Sequence, residues 1–183
     1  MSQPAVFIDR DGVLNEERAF VYRPQDFVLI PGAIEALRLL QTAGYRLVVV
    51  TNQSGIARGL YTEADYLALS AHMRRSLQAS GIHLDAIEHC PHLPDAPLAQ
   101  YRRVCECRKP APGMLLKAID ALEIDAAGSF LVGDRLTDLQ AGRAAGIGRC
   151  YLVRTGYALS AEAIDAADGV YADLLSCVTD VLA

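Results

Sequence analysis

The sequence predicts an α/β fold in which a parallel β-sheet is covered by helices on both faces. Apolar runs of strand length alternate along the chain with longer segments of helical periodicity. The apolar runs are continuous, as in RLVVV at residues 46–50, and such runs are typical of strands buried on both faces. No internal repeat or flexible linker interrupts the order, so we expect the 183 residues to form a single domain.

The individual elements follow from the apolar runs and from the residues that cap helices. Thr62, with Asp65 three residues later, is expected to begin a long helix, and Gly44 and Gly81 to end helices. The tract 90–112, rich in Pro and Cys, is expected to be irregular. Strands are predicted at 5–8, 46–50, 86–89, 129–133, 149–153 and 169–171. Helices are predicted at 33–44, 62–80, 113–124, 138–146 and 172–183.

Composition excludes several classes of protein. A formal net charge of -5 argues against an electrostatic grip on nucleic acid or on an anionic membrane. No apolar run approaches the roughly 18 residues that indicate a membrane helix, and the N-terminus does not resemble a signal peptide. We therefore expect a cytoplasmic protein in which disulfides do not form.

Polar side chains follow the ends of several predicted strands. Asp9 and Asp11 come after the first strand, Thr51 after the second and Asp134 after 129–133, while Lys109 precedes a helix. In doubly wound sheets, ligands bind beyond the carboxyl ends of the strands, so these side chains are expected to meet. Each also has an ordinary structural interpretation, since DRDG alone is typical of a turn.

The combination indicates chemistry at a phosphate. Three converging carboxylates need a hard cation, and Mg²⁺ prefers carboxylate oxygens and phosphate. A lysine and a hydroxyl at the same place suit a phosphoryl group. Asp9 would attack phosphorus, and Asp11 would protonate the leaving oxygen and then deprotonate the hydrolytic water.

A second group of residues lies in the irregular tract. Cys90, His92, Cys105 and Cys107 have the composition of a structural zinc site, although they could also be ordinary reduced cysteines. His89 is a possible competing ligand, but its position at the end of a predicted strand favours a role in packing. Cys150 and Cys177 are expected in the core, and His72 and His83 at the surface.

DRDGV at 9–13, Thr51, the Lys109-Pro110 pair and GDRLTD at 133–138 together resemble the four motifs of the haloacid dehalogenase superfamily of phosphatases. The resemblance implies a Rossmann-like core over residues 1–183 with little or no cap, with a zinc loop at about 90–107. It implies that Asp9 is the nucleophile, Asp11 the acid and base, and that Thr51 and Lys109 bind the phosphoryl group. Mg²⁺ would be held by Asp9, by Asp134 and by the backbone carbonyl of Asp11, with the role of Asp138 left open.

DRDGVLN, TNQSGIARG, CPH, CRKPAPGML and VGDRLTD resemble one branch of that superfamily, the bacterial heptose bisphosphate phosphatases. The resemblance implies removal of the 7-phosphate from D-glycero-D-manno-heptose 1,7-bisphosphate. Two departures bear on substrate contacts: Ala19-Phe20 stands where Gly-Tyr is expected, and Arg135 where lysine is usual. The implied substrate contacts are Glu17, Arg18, Ala19, Phe20, Thr51, Asn52, Gln53, Ser54, Arg108, Lys109 and Arg135.

Three alternatives stay open at this point. Histidinol-phosphate phosphatase shares most of the pattern, including the zinc residues. A phosphate-accepting receiver domain also uses Asp, Thr, Lys and Mg²⁺, but its phosphorylated Asp would follow the central strand, where this chain has Thr51. A nucleic-acid-binding module lacks support in an acidic chain without Trp. We therefore expect a small phosphorylated sugar as ligand, no nucleic-acid or membrane partner, and a monomer.

Overall fold

The computed structural model describes residues 2–183, and within that range six strands form one parallel sheet. The strands are β1 Gln3–Ile8, β2 Arg46–Asn52, β3 Ala86–Cys90, β4 Ile124–Gly133, β5 Arg149–Val153 and β6 Gly169–Tyr171. They lie in the order β3-β2-β1-β4-β5-β6, and every neighbouring pair is parallel. The predicted α/β fold class is confirmed, with no separate cap among the described residues.

The helices of residues 2–183 include all five predicted ones and two short additions, α2 and α6. The long helix begins as expected, because the Thr62 hydroxyl accepts a hydrogen bond from the Asp65 N–H while the Asp65 carboxylate accepts one from the Thr62 N–H. The helices are α1 Ala33–Thr42, α2 Ser54–Ala57, α3 Glu63–Ala79, α4 Gly113–Leu122, α5 Leu136–Ala144, α6 Ala161–Ala166 and α7 Leu174–Val181. The two additions have four and six residues, too few to show a clear periodicity.

Several predicted boundaries are wrong by one or more residues, and three of them have a clear physical cause. Helix α4 ends before residue 124 because Glu123 adopts a left-handed conformation, with φ of 51°. Strand β4 then begins at Ile124 instead of residue 129, since Ile124 and Asp125 pair with the start of β1 before a shift in register. Helix α5 begins at residue 136 instead of 138, because the Asp138 carboxylate accepts the N–H of Arg135 and so caps the first turn.

Strand β1 lies at the centre of the sheet and is buried on both faces. Val6 and Ile8 pack with apolar residues of α1, α3 and α7, whereas Ala5 and Phe7 pack with those of α4 and α5. All four side chains are fully buried. The residue that follows this strand, Asp9, therefore stands on a well-packed base.

The strand order reverses its direction between β1 and β4. The chain builds β1, β2 and β3 towards one edge and then returns to build β4, β5 and β6 towards the other. Such a switch point opens a crevice at the carboxyl ends of the two strands, where ligands bind in doubly wound sheets. Residues 2–183 contain no helix with the length and apolar character needed to cross a membrane.

Candidate active site

Aspartates follow both strands that border the switch point. Asp9 comes directly after β1 and Asp134 directly after β4, and the Asp9 N–H donates to the Val132 carbonyl at 3.0 Å. Asp138 projects from the first turn of α5, and one carboxylate oxygen from each of the three aspartates lies within 4.8 Å of the others. Two of the three carboxylates expected to converge, those of Asp9 and Asp134, therefore meet, but the third member of the group is Asp138 and not Asp11.

A cavity of about 190 Å³ opens above these aspartates. Of the residues with a predicted site role it is lined by Asp9, Asp11, Glu17, Phe20, Thr51, Asn52, Gln53, Ser54, Arg108, Lys109 and Arg135. The rest of its lining is Tyr61, Thr137, Asp138 and Tyr157. Asp134 lies beneath the cavity with 1% of its surface exposed.

Lys109 reaches the centre of the acidic group from the loop before α4. Its ammonium nitrogen lies 2.6 Å from Asp138 Oδ1 and 3.1 Å from Asp9 Oδ1, and it donates to the Val50 carbonyl at 2.9 Å. The side chain is 2% exposed. A buried lysine of this kind is stable only because carboxylates surround it.

The ionisation of these groups reflects burial first and neighbouring charge second. Burial raises the pKa of Asp9 well above its ordinary value, with Lys109 opposing the shift and Asp138 adding to it. Burial, together with Asp138, raises the pKa of Asp134 to about 6. Burial alone would lower the pKa of Lys109, but Asp138 and Asp9 outweigh it and raise that pKa. The single positive charge of Lys109 therefore does not balance the three carboxylates of Asp9, Asp134 and Asp138.

The donor set fits a hard divalent cation. Asp134 Oδ1 is buried and has no hydrogen-bond partner among residues 2–183, while Oδ2 accepts the Tyr157 N–H at 3.0 Å. Both protein donors that contact the Asp9 carboxylate, the Arg10 N–H and Lys109, reach Oδ1. Asp9 and Asp134 therefore keep oxygens for Mg²⁺, a ligand type that this ion prefers.

Both carboxylate oxygens of Asp138, in contrast, already contact protein groups. Its Oδ2 accepts the N–H groups of Asp134 and Arg135 at 3.2 and 3.0 Å, and its Oδ1 contacts Lys109. Gly133 is required beside it, because a Cβ there would lie 2.5 Å from the carboxyl carbon of Asp138. Asp138 therefore anchors Lys109 and the loop after β4.

Asp11 lines the cavity but lies outside the group of three carboxylates. Its oxygens accept hydrogen bonds from the Arg10 guanidinium at 2.9 to 3.2 Å, from Asn15 at 3.0 Å and from Gln53 at 3.1 Å. Asp9 and Asp11 lie two residues apart after the same strand, but their carboxylates have different hydrogen-bond partners. These different surroundings suit the two side chains to different functions. The backbone of Asp11 stays beside Asp9.

The last residues of β2, which include Thr51 because the strand extends to Asn52, fix the backbone that carries Lys109. The Asn52 side chain donates to the Lys109 carbonyl at 3.1 Å and accepts the Lys109 N–H at 3.0 Å. Thr51 is 1% exposed, and its hydroxyl accepts a hydrogen bond from Gln53 at 2.8 Å. Thr51 and Lys109, two predicted phosphate contacts that are distant in sequence, therefore lie close together in the lining of the cavity.

The entrance is formed by a turn and by a cation–aromatic pair. Glu17 and Phe20 line the cavity, whereas Arg18 forms an exposed ion pair with Glu16 and neither Arg18 nor Ala19 is part of the lining. On the opposite side, the Arg135 guanidinium lies 3.6 Å from the centre of the Tyr157 ring. The substrate contacts assigned to Arg18 and Ala19 stay predictions.

The four predicted zinc ligands form a compact cluster at the end of β3. Cys107 Sγ lies 2.9 Å from Cys90 Sγ, 3.3 Å from Cys105 Sγ and 3.4 Å from His92 Nδ1. The cysteines are free thiols. Sulfur ligands of one tetrahedral zinc are separated by about 3.7 Å, given Zn–S bonds of about 2.3 Å. The cluster has donors that can hold zinc, at sulfur separations somewhat shorter than in a zinc-bound site. His89 is not part of the cluster and packs on Tyr66, with ring centres 4.1 Å apart.

Three residues that line the cavity, Tyr61, Thr137 and Tyr157, have no predicted role. Tyr61 lies in the loop before α3, and nothing in its surroundings along the chain marks it. Thr137 lies inside GDRLTD, in which the two acidic positions are the ones that indicate metal binding. Tyr157 follows Gly156, whose lack of a side chain makes room for the Asp134 carboxylate, so a Gly-Tyr pair after the fifth strand was the available signal.

The fold and the site together define a class of hydrolase, and comparison with known families agrees. Residues 6–89 match the family described as haloacid dehalogenase-like hydrolase, and residues 106–177 match one described as HAD-hydrolase-like. The chain belongs to the haloacid dehalogenase-like hydrolases. This membership confirms the predicted family and the predicted class of enzyme.

Within that family, the most similar relatives share one description. The chain is 50% identical over 180 residues to the D-glycero-beta-D-manno-heptose-1,7-bisphosphate 7-phosphatase of Salmonella typhi, covering 97% of this chain and 96% of the relative. It is 48% identical over 156 residues to the Vibrio cholerae enzyme of the same description, covering 85% and 84%. Among solved structures, D,D-heptose 1,7-bisphosphate phosphatase from B. bronchiseptica, complexed with magnesium and phosphate, superposes with a TM-score of 0.83 at 37% identity, covering 98% of each chain.

Proposed function

We propose that this enzyme is a Mg²⁺-dependent phosphatase that removes the 7-phosphate from D-glycero-β-D-manno-heptose 1,7-bisphosphate. The observation that carries the proposal is the pairing of Asp9 with a buried lysine at the floor of a polar cavity, 3.1 Å apart, at the switch point of the sheet. The relatives at 48 to 50% identity carry that substrate in their description, which supports the choice of sugar.

Asp9 is the nucleophile in this proposal. The Asp9 carboxylate lines the cavity, and its Oδ1 accepts the Arg10 N–H and contacts Lys109. One of its two oxygens would bond to phosphorus, and the other would contact Mg²⁺. In the first step the Asp9 oxygen forms a bond to phosphorus while the bond from phosphorus to the sugar oxygen breaks. In the second step, the water oxygen forms a bond to the phosphorus of the aspartyl-phosphate while the bond from phosphorus to the Asp9 oxygen breaks, which releases inorganic phosphate and restores the Asp9 carboxylate.

Asp11 transfers the protons in both steps. It gives a proton to the sugar oxygen as that oxygen leaves, and it takes a proton from the attacking water. Its position in the cavity wall, outside the carboxylate group, supports this role because it stays free of the metal site.

Lys109 and Thr51 would bind the phosphoryl oxygens, since both line the cavity, Lys109 through its positive charge and Thr51 through its hydroxyl group. Arg108 and Arg135 are the cationic side chains available for the remaining phosphate and the sugar hydroxyls. Mg²⁺ would be held by Asp9, Asp134 and the Asp11 backbone carbonyl, and it would supply positive charge against the phosphate oxygens.

Cys90, His92, Cys105 and Cys107 would hold a structural zinc ion. The supporting observation is that Cys107 precedes Lys109 by two residues, and that the Arg108 guanidinium donates to the His92 carbonyl at 3.3 Å across the loop. Such a site would fix the loop that carries both cations. A cytoplasmic location and a monomeric state complete the proposal, in keeping with free cysteines.

The test is release of phosphate from heptose 1,7-bisphosphate beside histidinol phosphate, with Mg²⁺ and without it. We expect heptose 1-phosphate as the product, identified by phosphorus NMR, and turnover that depends on Mg²⁺. A strong preference for histidinol phosphate would overturn the substrate and leave the mechanism. Release from neither compound would overturn the proposed activity.

A further inference from the structure

Three side chains around Asp11 form a hydrogen-bonded unit that the chemistry above does not use. The Arg10 guanidinium, with the side chain 1% exposed, contacts both Asp11 oxygens through Nε and Nη2 and also donates to the Val21 carbonyl at 2.8 Å. Gln53 donates to Asp11 Oδ2 at 3.1 Å. The carboxylate cannot turn without breaking several charge-assisted bonds.

The orientation of the Gln53 amide is fixed by its neighbours. Arg10 Nη2 can only donate, and it lies 3.4 Å from Gln53 Oε1, so that atom must be the amide oxygen. The amide nitrogen then faces Asp11 Oδ2 and, at 2.8 Å, the Thr51 hydroxyl. Gln53 thus links the Asp11 carboxylate to the Thr51 hydroxyl, which the proposed function assigns to phosphate binding.

Tyr61 completes the unit from the opposite side. Its hydroxyl donates to Gln53 Oε1 at 2.5 Å, and its ring stacks on Tyr22 with centres 5.0 Å apart and planes 8° apart. Gly55 allows this approach, because a Cβ there would lie 2.7 Å from the Tyr61 ring carbon that bears the hydroxyl. Gly55, the glycine of TNQSG, therefore leaves the space that the Tyr61 ring occupies.

We propose that Arg10, Gln53 and Tyr61 form a clamp, here called the Asp11 clamp, that positions the Asp11 carboxylate for proton transfer to the leaving oxygen. The clamp residues are positioning residues, since they act through Asp11. This inference rests on the proposed function, because it assigns a purpose to the acid in that mechanism. As the bond between phosphorus and the leaving oxygen breaks, the Asp11 proton moves to that oxygen while Asp9 forms its bond to phosphorus.

The dependence of rate on the leaving group separates positioning from general structural damage. The value of kcat/KM reports the steps up to departure of the leaving oxygen, so hydrolysis of the aspartyl-phosphate does not enter it. A phenol of low pKa leaves without help, whereas a phenol of high pKa needs a proton from the acid. A series of substituted phenyl phosphates varies this need and avoids contacts to a sugar.

Gln53→Met removes both amide donors while keeping the size of the side chain. We expect its kcat/KM for phenyl phosphate to fall about 10-fold further than that for p-nitrophenyl phosphate, a part of the 10²- to 10⁴-fold that general acid catalysis contributes. Asp11→Asn should give the steepest dependence of the series. Tyr61→Phe should shift the dependence in the same direction by about 3-fold, and it carries the test if Gln53→Met does not fold.

Tyr22→Phe is the matched control, since it keeps the ring that stacks on Tyr61 and lies outside the clamp. It should leave the leaving-group dependence unchanged. If Gln53→Met and Tyr61→Phe lower all substrates by the same factor, the clamp proposal is overturned. An Asp11→Asn dependence equal to wild type would overturn the acid role, and with it the clamp. A wild type that releases phosphate from neither the phenyl phosphates nor heptose 1,7-bisphosphate would instead overturn the proposed function.

Discussion

Replacing Lys109 with methionine is expected to destabilise the folded protein by about 3 to 5 kcal/mol in Mg²⁺-free buffer, the cost measured when one partner of a buried ion pair is removed. Methionine keeps the length and the apolar stem of the lysine but removes the ammonium group. Asp9 and Asp138 then lose their common cation while both stay buried. Phosphatase activity should be lost at the same time, because the phosphoryl group loses its cation.

The magnitude follows from the two distances. At an effective dielectric constant of about 20, the contact of 2.6 Å with Asp138 corresponds to about 6 kcal/mol of Coulomb attraction and the contact of 3.1 Å with Asp9 to about 5 kcal/mol. The desolvation of the ammonium group offsets several kcal/mol of this gross attraction. Uptake of a proton by one of the carboxylates limits the penalty further, which leaves the range above.

The assay is chemical denaturation followed by circular dichroism, with thermal unfolding as a second measure. A protein of this size loses about 2 to 4 °C of Tm per kcal/mol, so Lys109→Met should melt about 6 to 20 °C below wild type. Magnesium should be omitted from the buffer without a strong chelator, since a chelator would also strip zinc. Added Mg²⁺ should recover part of the loss, because it neutralises the same carboxylates.

Lys117→Met is the control for loss of a charge. Lys117 also forms an ion pair, with Glu88 at 2.7 Å, but its side chain is 70% exposed. Pairs of this kind contribute about 0.2 to 1 kcal/mol. A loss of stability in Lys109→Met no larger than in Lys117→Met would refute the reasoning about the buried group.

The other predictions concern a cap, the zinc loop and a surface carboxylate. Thr62→Ala removes the hydroxyl that accepts the Asp65 N–H and should cost about 1 kcal/mol in chemical denaturation. Cys107→Ser should lose bound zinc, measured by elemental analysis, and much of its activity while keeping its circular dichroism spectrum; full turnover without zinc would contradict the loop's role. Partial burial acts to raise the pKa of Asp168, but the hydrogen bond from Arg143 outweighs it and lowers that pKa. The resulting stability is present above the unfolded pKa of about 4 and is lost as pH falls through the folded value, so the difference in Tm between wild type and Asp168→Asn should vanish at low pH.

Much of the fold could be predicted because burial on both faces leaves a direct mark on the sequence. A run such as RLVVV has few stable alternatives to a central parallel strand, and a Thr-x-x-Asp cap marks a helix start. The short helices α2 and α6 could not be predicted, because their positions depend on tertiary contacts rather than on periodicity. The early start of β4 could not be predicted for the same reason, since Ile124 and Asp125 become part of the strand only by pairing with the start of β1.

The site could be predicted where side chains follow strands, and less well where they arrive from loops. Asp9 and Asp134 are placed by the sheet itself, so their meeting follows from strand order. Tyr61 enters through contacts with Gln53 and Tyr22 that no spacing in the sequence reveals. The division of labour between Asp134 and Asp138 likewise depends on hydrogen bonds that only three-dimensional structure supplies.

The most direct measurement is to trap the phosphorylated enzyme by rapid acid quenching of the wild type during turnover of substrate that carries a radioactive phosphate at C7. Acid quenching and peptide mapping should locate the label on the peptide that contains Asp9, in a linkage cleaved by hydroxylamine, and the Asp9→Asn variant should acquire none. Label on another residue, or turnover by Asp9→Asn within about 100-fold of wild type, would contradict covalent attack by Asp9, since loss of a nucleophile should cost several orders of magnitude.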